Sequence, residues 1–230
     1  MKSSSWYRII VCGVGGQGVL LTSRILCDAA VRAGVPVVSG EIRNMAQRGG
    51  AVHATVVLGG ARSTLVPRGG ADAVVAFEPM EAARLIDYMS DKTLAIVNNR
   101  PVVPFTLSVR GLPYPPLQSL LSTVRERCGS LSTFDATAAA IECGSIRVLN
   151  MVMLGALGAV PHIPIDSRMV EKVIEESTPG ATRARNLAAF RAGTDLARAD
   201  RHRGAAGAPN ARSSDSHAGA HVLPTRRRSQ

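Results

Sequence analysis

Residues 7–18 read Tyr-Arg-Ile-Ile-Val-Cys-Gly-Val-Gly-Gly-Gln-Gly. Tyr7, Ile9, Ile10 and Val11 form a near-continuous apolar, β-branched run, the pattern of a strand buried on both faces. The glycines that follow at once, Gly13-x-Gly15-x-x-Gly18, permit a tight turn and a close backbone approach. Beyond them Val19, Leu20, Ile25, Leu26, Ala29, Ala30 and Ala33 recur at helical spacing until Gly34 and Pro36 stop the helix. Strand, glycine turn and helix in this order open an α/β unit. Free N–H groups and the helix dipole at such a turn favour an anion by roughly 0.3–1 kcal/mol. A tight βα turn without a ligand has the same spacing.

Working outward, the alternation continues. Val35–Ser39 reads as a second strand, residues 41–50 as a polar loop ending in two glycines, and Ala51–Leu58 as a strand with Val52, Ala54 and Val56 opposing His53 and Thr55. Asp72–Phe77 and Thr93–Val97 are further strands, separated by a helix that Pro79 introduces and that runs to Tyr88. Residues 102–116, with four prolines, connect to a helix over Leu117–Arg127, a short strand over Leu131–Phe134, and helices over Ala136–Glu142 and Arg147–Val160. Asp166 caps a helix reaching Glu176, and a basic helix runs from Pro179 to about Ala199. This spacing predicts an α/β fold: an open, Rossmann-like, mostly parallel sheet flanked by helices, with a helical C-terminal part. Residues 1–200 are read as a single domain. Residues 201–230, rich in Ala, Gly, Ser, Pro, His and Arg, cannot bury enough apolar surface to offset their ordering entropy and are read as a disordered basic tail.

Composition narrows the class. Aromatic residues make up 3% of the chain, which argues against the stacking platforms of carbohydrate or single-strand nucleic-acid binders. The net charge of +10 belongs mainly to one end, because residues 181–230 hold ten Arg against three Asp. A bias toward Arg over Lys of this kind follows genome composition, so no nucleic-acid partner is expected. No apolar run is long enough for a membrane span, and residues 1–7 lack the apolar core of a secretory signal, which points to a cytoplasmic protein. Cys12, Cys27, Cys128 and Cys143 include no C-x-x-C pair, so a cluster or zinc site on this chain has no support. Glu41, about 20 residues after the glycine turn, fits the acidic position of a dinucleotide fingerprint. That keeps open a stand-alone dinucleotide-binding oxidoreductase, as well as a non-catalytic interaction module.

A second motif, Asn44-Met-Ala-Gln-Arg-Gly-Gly50, falls near the carboxyl ends of the strands, where open sheets bind ligands. Together with Gly13-Val-Gly-Gly-Gln-Gly18, Glu78-Pro-Met-Glu-Ala-Ala-Arg84 and Asn98-Asn-Arg-Pro101, it resembles the gamma-type subunit or domain of the 2-oxoacid:ferredoxin oxidoreductases. The Met-Ala-Gln-Arg-Gly-Gly form is most similar to the beta subunits of the indolepyruvate enzymes. The resemblance spans about Arg8 to Asp195. It implies an accessory subunit in the oxidative decarboxylation of a 2-oxoacid, indolepyruvate or another arylpyruvate, to an acyl-CoA. It further implies that thiamine diphosphate and 4Fe-4S clusters sit on a large alpha subunit, with ferredoxin accepting electrons and coenzyme A the acyl group. Gly13, Gly15, Gly16, Gln17, Gly18, Arg48, Gly49 and Gly50 match the family's motifs. By that resemblance they line a cleft toward the partner and offer N–H groups and one cation to coenzyme A or the substrate carboxylate, with no catalytic residue and no metal ligand on this chain.

The remaining polar residues have structural readings first. His53 reads as a paired structural histidine, Glu78 and Glu81 as helix-capping carboxylates, Cys12 and Cys27 as small core residues, and Met151 and Met153 as core.

Overall fold

A computed structural model describes residues 6–43, 50–103, 107 and 109–206 of the chain. The strand expected at the start is β1 (Tyr7–Val14), with every residue from Ile9 to Val14 buried. Its alternation sends Ile9 and Val11 into one core and Ile10 and Cys12 into another on the opposite face of the sheet. A strand apolar on both faces therefore becomes the centre of a three-layer α/β/α arrangement.

Five more strands complete the sheet: β2 (Val37–Arg43), β3 (Ala51–Leu58), β4 (Ala73–Ala76), β5 (Leu94–Asn98) and β6 (Ser130–Phe134), in the order β2-β3-β1-β4-β5-β6. β1, β4, β5 and β6 are parallel neighbours, whereas β3 lies antiparallel between β1 and β2. Five of the six strands thus run the same way, as the sequence predicts. The antiparallel β3 is the departure. Residues 41–43, read as loop, continue β2 because pairing with β3 runs on to Arg43 opposite Val52. Backbone pairing overrides the polar local composition there.

Helix α1 (Val19–Arg32) follows the glycine turn and buries a stripe of Val19, Ser23, Leu26 and Ala30. α2 (Pro79–Ala83) is shorter than expected, and a separate 3₁₀ turn covers Ile86–Tyr88. α3 (Leu117–Arg127) and α4 (Ala136–Glu142) lie where the sequence places them. The expected helix from Arg147 divides into a 3₁₀ turn at Ile146–Val148 and α5 (Leu149–Gly158). α5 is buried from Leu149 through Leu157, the core helix that its richness in Met, Leu, Ala and Gly predicts. α6 (Ser167–Ser177) starts at Asp166, whose carboxylate accepts from Arg168 N at 2.9 Å. α7 (Gly180–Ala206) carries the basic segment past its expected end, so residues 201–206 are helix rather than tail. Two contacts hold that extension: Asp200 accepts from Thr133 N at 3.3 Å, and Arg201 donates to Ala159 O at 2.6 Å. The rest of the tail, 207–230, lies outside the described residues. Among the described residues no helix is long and apolar enough to cross a membrane.

α5 and α7 meet backbone to backbone. A Cβ on Gly155 would stand 1.8 Å from Phe190 O, and one on Gly193 would stand 1.8 Å from Val152 O. Neither carbonyl can retreat without moving a helix. Gly193→Ala is therefore expected to cost about 2–3 kcal/mol by overpacking, read as a lower urea midpoint, whereas alanine at the open Gly180 leaves the midpoint nearly unchanged.

Candidate functional site

The strand order reverses between β1 and β4: from β1 the chain moves to β2 and β3 on one side, from β4 to β5 and β6 on the other. Such a switch point leaves a crevice beyond the carboxyl ends of the strands. The glycine turn occupies it. Gly16 and Gly18 have φ values of 103° and 90°, which L side chains rarely adopt. Gly16 faces open space, so its glycine is required by backbone conformation alone. Gly18 is required twice, since a Cβ there would also stand 2.8 Å from Asn150 Cβ.

Gln17 bonds to the backbone on both sides of the turn. Its Oε1 accepts from Val14 N at 2.7 Å and its Nε2 donates to Phe77 O at 3.1 Å, tying the turn to the end of β4. Buried Asn98, at the end of β5, donates to the same Phe77 O at 3.0 Å and to Thr137 Oγ1 at 3.0 Å, and accepts from Ala136 N at 3.0 Å. Gly13 sits inside this clamp, where a Cβ would approach Gln17 Oε1 to 2.7 Å and Phe77 Cβ to 2.8 Å. Gly15 N donates to Gly50 O at 2.9 Å, which brings the end of the second motif against the first. Arg48 and Gly49 lie outside the described residues. Gln17 borders the cavity, with both ends of its amide bonded to the scaffold.

Glu78 is fully buried and caps α2 through Glu81 N at 3.1 Å, as its position predicts. It does more than cap. It also accepts from Val102 N at 3.2 Å and from the Tyr114 hydroxyl, and so pins the proline-rich segment to the sheet end. Burial, then the hydrogen bond to Glu78, raise the Tyr114 pKa. The result is a cavity of about 560 Å³ bordered by Gly16, Gln17, Gly18 and Leu21, by Arg100, Pro101 and Val102, and by Thr137, Ile141, Ile146, Arg147, Leu149 and Asn150. Arg147 and Asn150 carry no signal in the sequence. Both come from a helical region read as core, and only the packing of α5 onto Gly18 brings them here.

Glu41 is not at a dinucleotide position. It pairs with Ala54, which pairs with Val11, so β3 separates it from β1 by two strand spacings, about 10 Å. On the opposite face of the sheet from α1, His53 borders a hollow of about 310 Å³ with Cys12, Glu81 and Arg84. Glu81 pairs with Arg84 at 3.1 Å, and burial raises its pKa. Burial raises the Cys12 thiol well above its usual value and lowers the pKa of His53.

Two outcomes test this geometry. Asn98→Leu strips partners from Phe77 O and Ala136 N, and should cost more than about 2 kcal/mol in urea unfolding. Gln17→Ala should cost about 1–2 kcal/mol. For His53 the folded pKa lies below the unfolded value near 6.5. Stability is therefore present above that value and lost as pH falls through the folded pKa. His53→Gln should lose less melting temperature than the native chain between pH 7 and pH 5; an equal loss would remove His53 from the balance.

Residues 8–196 match the pyruvate ferredoxin/flavodoxin oxidoreductase family. The chain is 43% identical over 187 residues to the indolepyruvate oxidoreductase subunit IorB of Methanothermobacter thermautotrophicus, covering 81% of this chain and 95% of that one. It is 39% identical to the subunit of the same name in Thermococcus kodakarensis, over 84% of this chain and 96% of that one. The 2-oxoglutarate synthase subunit KorC of Methanothermobacter marburgensis is 31% identical, over 82% of this chain and 95% of that one. In fold the chain resembles the gamma subunit of a keto/oxoacid ferredoxin oxidoreductase from Geobacter sulfurreducens, with a TM-score of 0.62 and 24% identity over 84% of this chain and 99% of that one. On the family match and the curated relatives, this chain belongs to the pyruvate ferredoxin/flavodoxin oxidoreductase family.

Proposed function

We propose that this chain is the accessory subunit of a 2-oxoacid:ferredoxin oxidoreductase that converts indolepyruvate or another arylpyruvate to its acyl-CoA. The observation that carries the reading is the 43% identity across 95% of an indolepyruvate oxidoreductase subunit. The intact clamp of Gln17, Asn98 and Phe77 beneath an open cavity at the switch point supports it.

The described residues do not fit a 4Fe-4S cluster. Among the described residues no group of three or more His, Cys, Asp and Glu gathers as a metal site. The cysteines are divided by the sheet, with Cys12 and Cys128 at one core and Cys27 and Cys143 at the other. In this reading the cofactors sit on a large alpha subunit, which passes electrons to ferredoxin, and this chain is inactive alone in the cytoplasm.

The role left to the chain is to shape one wall of the reaction site. Gly15, Gly16, Gln17, Gly18 and Gly50 form the edge turned to the partner, with Gly13 buried behind them, and the family resemblance adds Arg48 and Gly49 of the same motif to this role. Backbone N–H groups at this edge, unopposed by any acidic residue in the first turn of α1, offer anion binding to coenzyme A phosphates or the 2-oxoacid carboxylate. Leu21, Ile141 and Ile146 are exposed around the cavity, an apolar rim of the kind that a permanent partner covers.

The test is anaerobic affinity purification of the tagged chain from its native cell, with iron and thiamine assays. A large iron- and thiamine-bearing partner and arylpyruvate- and coenzyme A-dependent dye reduction, absent from the chain alone, are expected. A colourless chain recovered alone would overturn the reading.

A further inference from the structure

The two edges of the sheet are finished differently. At one edge α7 packs on β6, and Asp200 takes the outward N–H of Thr133 at 3.3 Å. At the other edge β2 has β3 on one side and no described strand on the other. An open edge offers a row of N–H and C=O groups to any second strand, and proteins blunt it with proline, a bulge or a covering element. β2 contains no proline and pairs with β3 without a bulge from Val37 to Arg43. Exposed apolar residues flank this edge on both faces of the sheet. Val31 is exposed at the end of α1, the helix that packs on β2 and β3. On the opposite face Ile42 is 58% and Leu65 82% exposed. Thr64 lies over Gly40, where a Cβ would stand 2.9 Å from Thr64 Oγ1, and this sets Leu65 beside Gly40 and Ile42.

We propose that β2 is a self-pairing edge: two copies of this chain join β2 to β2, antiparallel about a two-fold axis at Gly40, and make their two six-stranded sheets continuous. A two-fold axis perpendicular to the sheet keeps each face continuous, so residues 38, 40 and 42 of one copy meet the same three of the other. Side-chain chemistry then selects the register. Centred on Gly40, Val38 stands opposite Ile42 twice, on the face that carries Leu65. On the α1 face the same register sets Ser39 opposite Glu41 twice, a hydroxyl donor against a carboxylate. Centred on Glu41, two carboxylates would stand directly opposite each other, which is unfavourable. Centred on Ser39, Val37 would face Glu41 and the Val38–Ile42 pair would be lost. Nothing in this pairing depends on the reaction.

One strand from each copy makes a small interface, so the dimer should dissociate on dilution. Sedimentation of the full chain over a concentration series should show a monomer–dimer equilibrium. Ser39→Glu sets two like-charged pairs against Glu41 and should weaken the dimer by at least about tenfold. Glu41→Lys added to it makes both pairs opposite in charge and should restore the dimer to within about threefold. Ser39 and Glu41 are both exposed, and an unchanged melting temperature of the dilute monomer separates lost pairing from lost folding. The complex recovered from the native cell is weighed in parallel. Two copies of this chain per particle that separate with Ser39→Glu and rejoin in the double variant support the pairing. Two copies never found together, in the chain or in the complex, overturn it, as does an assembly indifferent to Ser39→Glu or one that the double variant does not regain. A one-copy complex whose β2 amides resist hydrogen exchange assigns the edge to another subunit and overturns it too.

Discussion

One carbonyl oxygen holds the functional end of this molecule together. Phe77 O, at the end of β4, accepts from Gln17 Nε2 and from Asn98 Nδ2. A carbonyl has two lone pairs, and here both are used by side chains from the ends of the two neighbouring strands. Gln17 returns its own oxygen to Val14 N, and Asn98 returns its oxygen to Ala136 N at the start of α4. The glycine turn, the end of β4, the end of β5 and the entry to α4 are thereby fixed relative to one another without any ligand. Polar groups shared this way are strong when complete and costly when one is removed, so the clamp sets where the cavity walls stand.

The second constraint is topological. β3 inserts antiparallel between β1 and β2, and this moves β2 away from the glycine turn. In a dinucleotide fold the residue at Glu41 would stand beside the turn, and here it is an extra strand away. The glycine turn keeps its shape while losing the acidic partner that would read a ribose. The same spacing of glycines therefore serves a different role, and the difference lies in strand order rather than in the motif.

The local elements were legible because each has a local cause. The βα turn shows itself through glycines whose positive φ values leave little alternative, and α5 through the apolar run Met151–Leu157 that has to be buried on every side. Glu78 could be read as a cap from its place before Pro79. Its bonds to Val102 and Tyr114 could not, because they join residues more than twenty positions apart across a proline-rich segment with no periodicity. Residues 41–43 and 201–206 were misread for one reason: polar local composition was overruled by pairing with β3 in the first case and by contacts with β6 and Ala159 in the second.

By itself the sequence determined the α/β class, the glycine turn at its head, the buried helix near its end and, through four ordered motifs, the family. Those properties are carried by residues close together in the chain, where backbone sterics and hydrophobic period act directly. Only the tertiary structure decided that Gln17 serves the scaffold, that Glu41 is displaced, and that Arg100, Arg147 and Asn150 converge on the turn. Convergence of that kind depends on how α5 packs against Gly18 and on which strand lies beside β1, and long-range packing leaves no local periodicity to read.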